Sequence, residues 1–167
     1  MKDRVLEKLS KKFKTSILAV EEFAANPKLY ATDLVVTVKK SDLISICEFL
    51  CSDAELRFDS LRDLMGIDQY LPEDRYEVVY NIYSLRNNFR LFLKVKVDEH
   101  DLKVPTVVGI WPAANWLERE AYDMYGLVFE GHPDLRRIYM PEEFEYFPLR
   151  KEFPLMGIPG SLPLPKK

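Results

Sequence analysis

The sequence is poor in the residues that usually hold metals and redox cofactors. Only two cysteines and two histidines occur among 167 residues. Cys47 and Cys51 lie four positions apart, whereas His100 and His132 lie in distant parts of the chain. A zinc or iron–sulfur site usually needs four such ligands. We therefore expect no metal or cofactor on this chain, and we interpret both cysteines as small apolar packing residues.

Further absences narrow the class of protein. The six glycines form no phosphate-binding motif, and no apolar run is long enough to cross a bilayer. The net charge is −3 and there is no long basic run, which argues against nucleic-acid binding. The charged N-terminus lacks the apolar core of a secretory signal. We expect a cytoplasmic chain that reaches a membrane only through partners.

The residues that are present have the composition of an ordinary globular domain, with 47% apolar and 31% charged residues. Apolar residues at helical spacing predict helices over 3–13, 41–51 and 112–125. Ser41 is a suitable N-cap for the second helix, and Gly126 is suited to end the third.

Alternating and β-branched residues predict a sheet. The clearest signal is a hairpin with strands over 76–82 and 89–97 and a turn at 86–88. Lys94 and Lys96 point away from the apolar row, so one face of the sheet should meet water. The other strands, some of them short, are predicted within 16–20, 34–38, 56–67 and 104–110. Together these elements predict an α+β fold in two layers, with helices against a mixed or mostly antiparallel sheet.

The residues after Gly131 have a different character. They contain seven of the eleven prolines, a density that excludes a continuous helix. Aromatic and aliphatic residues are interleaved with these prolines, unlike the composition of a disordered tail. We therefore predict a globular domain over 1–131 and an extended proline-rich C-terminal arm over 132–167. The arm should lie in a groove, either on the chain's own surface or on a partner.

One motif in the last third of the chain is highly specific. It starts in the third helix and continues through a Gly-His-Pro turn to a Pro-Leu-Arg-Lys run. Its residues are Glu118, Arg119, Glu120, Tyr122, Asp123, Gly131, His132, Pro133, Arg137, Pro148, Leu149, Arg150 and Lys151. In this order and spacing the motif resembles the C-type, thirty-kilodalton subunit of respiratory complex I, the proton-pumping NADH–quinone oxidoreductase.

The resemblance implies a structural subunit of the peripheral arm of that complex, without an active site or a cofactor of its own. The expected partners are the large D-type subunit, which the C-terminal arm would clamp, and the neighbouring iron–sulfur subunits. Quinone, flavin and iron–sulfur clusters would belong to partner subunits. The motif residues would then be partner contacts, and the chain would lie at the cytoplasmic face of the cell membrane.

Other interpretations remain open at this point. Asn115, Phe144 and Tyr146 depart from the usual family pattern, so the parent complex could also be a membrane-bound hydrogenase or a ferredoxin- or F420-linked complex. A free-standing small enzyme or a peptide-binding module is the alternative from another class of protein.

Helical geometry decides between a catalytic and a structural role for the third helix. Glu118 and Glu120 point about 200° apart, so they cannot easily share a metal. Arg119 and Asp123 are spaced for a weak ion pair. Glu118 and Tyr122 are expected to form an interface patch, and the apolar stripe of Leu117, Ala121 and Met124 should face the core. His132 is interpreted as a hydrogen-bonded hinge residue.

Overall fold

The computed structural model describes residues 1–23 and 33–157 of the chain. The described residues form an α+β fold, which confirms the predicted class. In chain order the elements are α1 (Lys2–Phe13), β1 (Ile17–Phe23), β2 (Asp33–Val38), a 3₁₀ helix (Lys40–Asp42), α2 (Leu43–Ser52), β3 (Ser60–Asp68), β4 (Tyr76–Ser84), β5 (Phe89–Val97), β6 (Lys103–Pro105), α3 (Ala114–Tyr125) and β7 (Val128–Glu130).

The main sheet has five strands in the order β1-β2-β5-β4-β3. Strands β2 and β5 are parallel, and the other neighbours are antiparallel, so the sheet is mixed. The predicted hairpin is β4 and β5, and Asn88 in its turn has a φ of +49°. Asparagine tolerates this left-handed conformation better than most residues. Strands β6 and β7 form a separate short parallel pair.

The hydrophobic core lies between one face of the sheet and the helices. Every second residue of β5 is buried, including Leu93 and Val95, which are fully inaccessible. Leu9 of α1 and Ile46 of α2 belong to the same apolar cluster. Cys47 is also fully buried there, as expected of a packing residue. The period of two in the strand and the helical spacing in α1 and α2 therefore bring their apolar residues to one interface.

Details of three elements differ from the sequence predictions. Ser41 lies inside the 3₁₀ helix and is not the N-cap of α2, which is Asp42. Region 56–67 contributes a longer strand than predicted, because β3 pairs with β4 along most of its length. Pro112 lies in the turn before α3. The predicted loop at Asn26 and Pro27 falls outside the described residues.

Helix α3 lies against the edge strand β3, and a glycine makes this possible. A Cβ atom at Gly66 would lie 2.7 Å from Cδ2 of Tyr125, far inside normal contact distance. The absence of a side chain therefore lets the end of α3 approach the sheet closely. No helix in the described part of the chain is long and apolar enough to span a membrane.

Candidate functional site

Helix α3 buries charged side chains as well as apolar ones. Glu118 and Asp123 are completely inaccessible to solvent, and Arg119 is only 8% exposed. Ala121 and Met124 are also buried, in agreement with the predicted apolar stripe. Burying a charge costs several kcal/mol unless it is paired and hydrogen-bonded. The partners of these three residues therefore define the site.

Glu118 joins the first half of α3 to the loop that follows β6. Its Oε1 accepts a hydrogen bond of 2.8 Å from the Val107 amide, and Thr106 Oγ1 donates to Oε2 at 2.5 Å. Burial disfavours the ionised carboxylate and raises the pKa of Glu118 to about 7, although both hydrogen bonds oppose this shift. Glu118 is thus an internal residue, which corrects the expectation that it shares an interface patch with Tyr122.

Asp123 binds the beginning of the arm segment, the name used here for residues 132–157, the described part of the predicted C-terminal arm. Arg137 Nη1 donates to Asp123 Oδ1 at 2.6 Å. The other oxygen, Oδ2, accepts from three consecutive backbone amides, at 3.0 Å from Ile138, 2.7 Å from Tyr139 and 3.0 Å from Met140. Burial opposes ionisation, but these amides and the guanidinium outweigh it and lower the pKa of Asp123. A fully satisfied carboxylate therefore fixes the backbone of the arm segment to α3.

Arg119 does not pair with Asp123, contrary to the prediction from their spacing. Its Nε donates to the carbonyl of Arg136 at 3.0 Å, and its Nη2 donates to the carbonyl of Arg137 at 3.3 Å. The guanidinium also lies 4.9 Å from the ring centroid of Trp116, one helical turn earlier. Arg119 and Asp123 thus bind adjacent stretches of the arm segment. The cation that pairs with Asp123 is Arg137, not Arg119.

His132 fastens the turn between β7 and the arm segment. The Asp134 amide donates to His132 Nδ1 at 2.9 Å, so Nδ1 must be the unprotonated nitrogen. His132 Nε2 lies 3.1 Å from the Asn115 carbonyl and therefore carries the hydrogen that it donates. The preceding Gly131 has a φ of +83°, which glycine adopts without strain. These contacts agree with the interpretation of His132 as a hinge residue.

Arg150 fastens the far end of the arm segment to the C-terminus of α3. Its Nε donates to the Tyr125 carbonyl at 2.8 Å, and its guanidinium lies 4.3 Å from the ring centroid of Phe147. Gly126, which ends α3 with a φ of +78°, provides the space for this contact. A Cβ atom there would lie 2.6 Å from Arg150 Nη2. The contacts of Arg119, Asp123, Arg137 and Arg150 with α3 and the arm segment are called the clasp below.

A second charged cluster, at Asp68 and Arg75, was not anticipated from the sequence. Arg75 binds Asp68 through Nε and Nη2, at 3.0 and 2.9 Å, and it also pairs with Glu152 of the arm segment. The Lys151 amide donates to Asp68 Oδ2 at 2.8 Å. Burial opposes ionisation of Asp68, but these donors prevail and lower its pKa to about 2. No local pattern predicts this cluster, because its members lie on β3, before β4 and near the end of the chain.

The remaining motif residues lie around the clasp. Glu120 is half-buried, with its Oε2 3.5 Å from the Tyr139 hydroxyl, and the Tyr122 carbonyl accepts a hydrogen bond from the Gly126 amide. The Leu149 amide donates to the Met124 carbonyl at 3.2 Å. Pro133 is exposed and Pro148 is half-buried.

The arrangement of the clasp suits attachment of one chain segment to another. Each buried charge is committed to backbone groups or to an opposite charge. Over residues 1–23 and 33–157 no group of three or more His, Cys, Asp or Glu side chains is arranged to hold a metal ion.

Comparison with known proteins defines the class to which this fold and clasp belong. Residues 36–159 match the family model of the respiratory-chain NADH dehydrogenase, 30 kDa subunit. The match covers most of the chain, including the clasp and the arm segment, so the chain belongs to this family.

Individual relatives narrow the resemblance further. The chain is 44% identical to the C-type subunit of NADH-quinone oxidoreductase from Geotalea uraniireducens, over 93% of this chain and 89% of the relative. It is 45% identical to the C-type subunit of the Geobacter metallireducens enzyme, over 96% and 94% of the two chains.

Two solved structures have a fold similar to that of this chain. A trypsin-resistant fragment of Nqo5 superposes with a TM-score of 0.63 at 34% identity, over 80% of this chain and 98% of the fragment. A chain of an archaeal respiratory membrane complex, the membrane-bound sulfane sulfur reductase, has a TM-score of 0.73 over 93% of this chain and 86% of its own length. Its 20% identity supports the fold alone.

Proposed function

We propose that this chain is a structural, non-catalytic subunit of the peripheral arm of a proton-pumping NADH–quinone oxidoreductase. In this proposal its C-terminal arm clamps the large D-type subunit that frames the quinone site, beside the iron–sulfur subunits and at the cytoplasmic face of the membrane. Quinone, flavin and the clusters belong to those partners. Relatives named as C-type subunits of NADH-quinone oxidoreductase, at 44% and 45% identity, favour this complex over the hydrogenase-type alternative.

The observation that carries the proposal is that the arm segment is both anchored and rich in exposed apolar side chains. Its backbone is fixed by the clasp, through contacts that leave it little freedom. The same segment exposes Leu149 at 50%, Leu155 at 101% and Met156 at 95%. Exposed apolar residues concentrated on one anchored segment are typical of a surface that a partner covers. An anchored segment also loses less conformational entropy on binding than a free one.

The trypsin-resistant fragment of Nqo5 supports a stable domain that is shorter than the full chain. That fragment is a protease-stable part of a relative, and it corresponds in length to about four-fifths of this chain. A stable domain with a separable C-terminal extension is the arrangement that the clamp requires.

Truncation after Gly131 tests the proposal. We expect the shortened chain to keep its sheet and to melt cooperatively, though at a lower temperature because Asp123 loses its donors. It should no longer co-purify with the large partner from native membranes. If it unfolds, the arm segment belongs to the domain's own core. If it folds and co-purifies as well as the full chain, the clamp is wrong.

A double variant tests the same proposal without removing the clasp. Leu155→Ser combined with Met156→Ser should leave the melting temperature unchanged and weaken co-purification. Leu85→Ser is the matched control, because Leu85 is 63% exposed in the β4–β5 turn, away from the arm segment.

A further inference from the structure

We propose that Trp116, Arg119 and Tyr139 form a second docking surface, which receives an acidic side chain of a partner protein among apolar neighbours. The inference rests on the proposed function in that the partner is taken to be a subunit of the same complex. It concerns α3 and Tyr139 at the beginning of the arm segment rather than Leu149, Leu155 and Met156, and the two can fail separately.

The first argument is the incomplete pairing of Arg119. Its Nε and Nη2 bind the carbonyls of Arg136 and Arg137, which are neutral acceptors. Nη1 has no hydrogen-bond partner among the described residues. It is not a buried unsatisfied donor, because it remains accessible to solvent. The nearby carboxylate of Asp134 is bound by Arg136 at 2.7 and 2.8 Å. Within the described ranges, therefore, Arg119 forms no salt bridge with a carboxylate; Asp134 attracts its charge only through space, and Nη1 remains available to a partner.

The second argument is a pair of exposed aromatic rings, one against Arg119 and one in the arm segment that Arg119 binds. Trp116 is 61% exposed and Tyr139 is 60% exposed, although both positions are held firmly. The Trp116 ring lies against the Arg119 guanidinium, and the Tyr139 amide is bound to Asp123. Trp, Tyr and Arg are the residues most enriched among energetic hot spots of protein interfaces. Rigid anchors of this kind bind with a small entropic cost.

The charges around the surface indicate what it accepts. A carboxylate matches the open edge of Arg119, because guanidinium groups bind carboxylates with directed, charge-assisted hydrogen bonds. Glu120 lies beside Tyr139 and disfavours an extended acidic run. The best occupant is therefore a single Asp or Glu of a folded partner, flanked by apolar side chains that cover the two rings.

Site-specific photo-cross-linking in the assembled complex tests this surface. A benzophenone amino acid replaces Trp116 or Tyr139 in the full chain, and membranes are irradiated. We expect cross-links at both positions to one partner peptide that contains an acidic residue with apolar neighbours. The matched control is Tyr70, which is 65% exposed in the β3–β4 turn and should not cross-link to that peptide. No cross-link at either test position, or cross-links equal to those at Tyr70, would overturn the inference.

Alanine variants supply the energetic test. Trp116→Ala and Tyr139→Ala should keep the melting temperature of the isolated chain and weaken association with the partner at least tenfold. Tyr70→Ala should change neither the melting temperature nor the association. Full-strength association of both variants, while truncation after Gly131 abolishes it, would refute this surface and leave the clamp standing. Failure of the unaltered chain to associate with any subunit of the complex would refute the proposed function itself.

Discussion

Two regions of the molecule bury their side chains by different means. Between the sheet and helices α1 and α2, burial is apolar and follows regular periodicity, as at Leu9, Ile46 and Leu93. Between α3 and the arm segment, burial is largely polar, with Asp123 and Arg119 bound to backbone groups. The first region needs only residues of suitable size and hydrophobicity. The second needs each particular partner, because a buried charge that loses one is destabilising.

The largest expected effect is that of Asp123→Ala, which removes the acceptor of four donors. We expect a loss of about 3–5 kcal/mol in the free energy of unfolding, since Arg137 and the amides of residues 138–140 lose their partner. Urea denaturation of the full chain measures it.

The apolar region provides the comparison for this variant. Leu93→Ala should cost about 2–5 kcal/mol through lost burial and the cavity left behind. Combining Asp123→Leu with Arg137→Met should restore little stability, because the three amides would still lack an acceptor. Full recovery in this double variant would show that the clasp, like the core, depends on apolar contact.

A smaller effect, distinguished by its pH dependence, is expected for Glu118→Gln. The raised pKa of Glu118, about 7, means that the folded protein holds its proton more tightly than the unfolded chain. Stability from this group is complete below the ordinary pKa near 4.5 and is lost as the pH rises through about 7. The loss is on the order of 3 kcal/mol. Glutamine cannot titrate, so the variant should lack this decline.

The difference is measured by unfolding both proteins at a series of pH values. The series runs from near 4.5, the ordinary pKa of glutamate, to about one unit above the raised pKa of Glu118. Other titrating groups are shared and cancel in the comparison. Asp123 and Asp68 have lowered pKa values, so their contributions disappear only at more acidic pH. Parallel curves for the two proteins would mean that Glu118 is ionised throughout this range.

The smallest effect is expected for Glu152→Gln, at the partly exposed end of the second charged cluster. Its side chain is 46% exposed, and exposed ion pairs contribute only about 0.2–1 kcal/mol. The change in unfolding free energy should shrink further in high salt, in contrast to the effect of Asp123→Ala. A salt-independent loss of the size expected for Asp123→Ala would mean that the end of the arm segment is as tightly integrated as its beginning.

Sequence reasoning succeeded where one repeating pattern determines the outcome. The alternation in β4 and β5 predicts the hairpin and its buried face, and the spacing in α1 and α2 predicts helices. Helix α3 also forms as predicted, but its motif residues are not arranged as spacing alone suggests. Glu118 is buried and Arg119 does not bind Asp123, because backbone groups of residues distant in sequence compete for these side chains.

The sequence by itself determined the α+β class, the main elements and the family, since short-range periodicity and one specific motif carry that information. Only the tertiary structure decided where the charges of the motif are neutralised. Asp123 binds Arg137 and three successive amides, and Asp68 binds Arg75 and the Lys151 amide. Asp68 and Lys151 are 83 positions apart, and a contact over that separation depends on how α3 docks on β3. The close approach at Gly66 sets that docking, and a local sequence pattern contains no information about it.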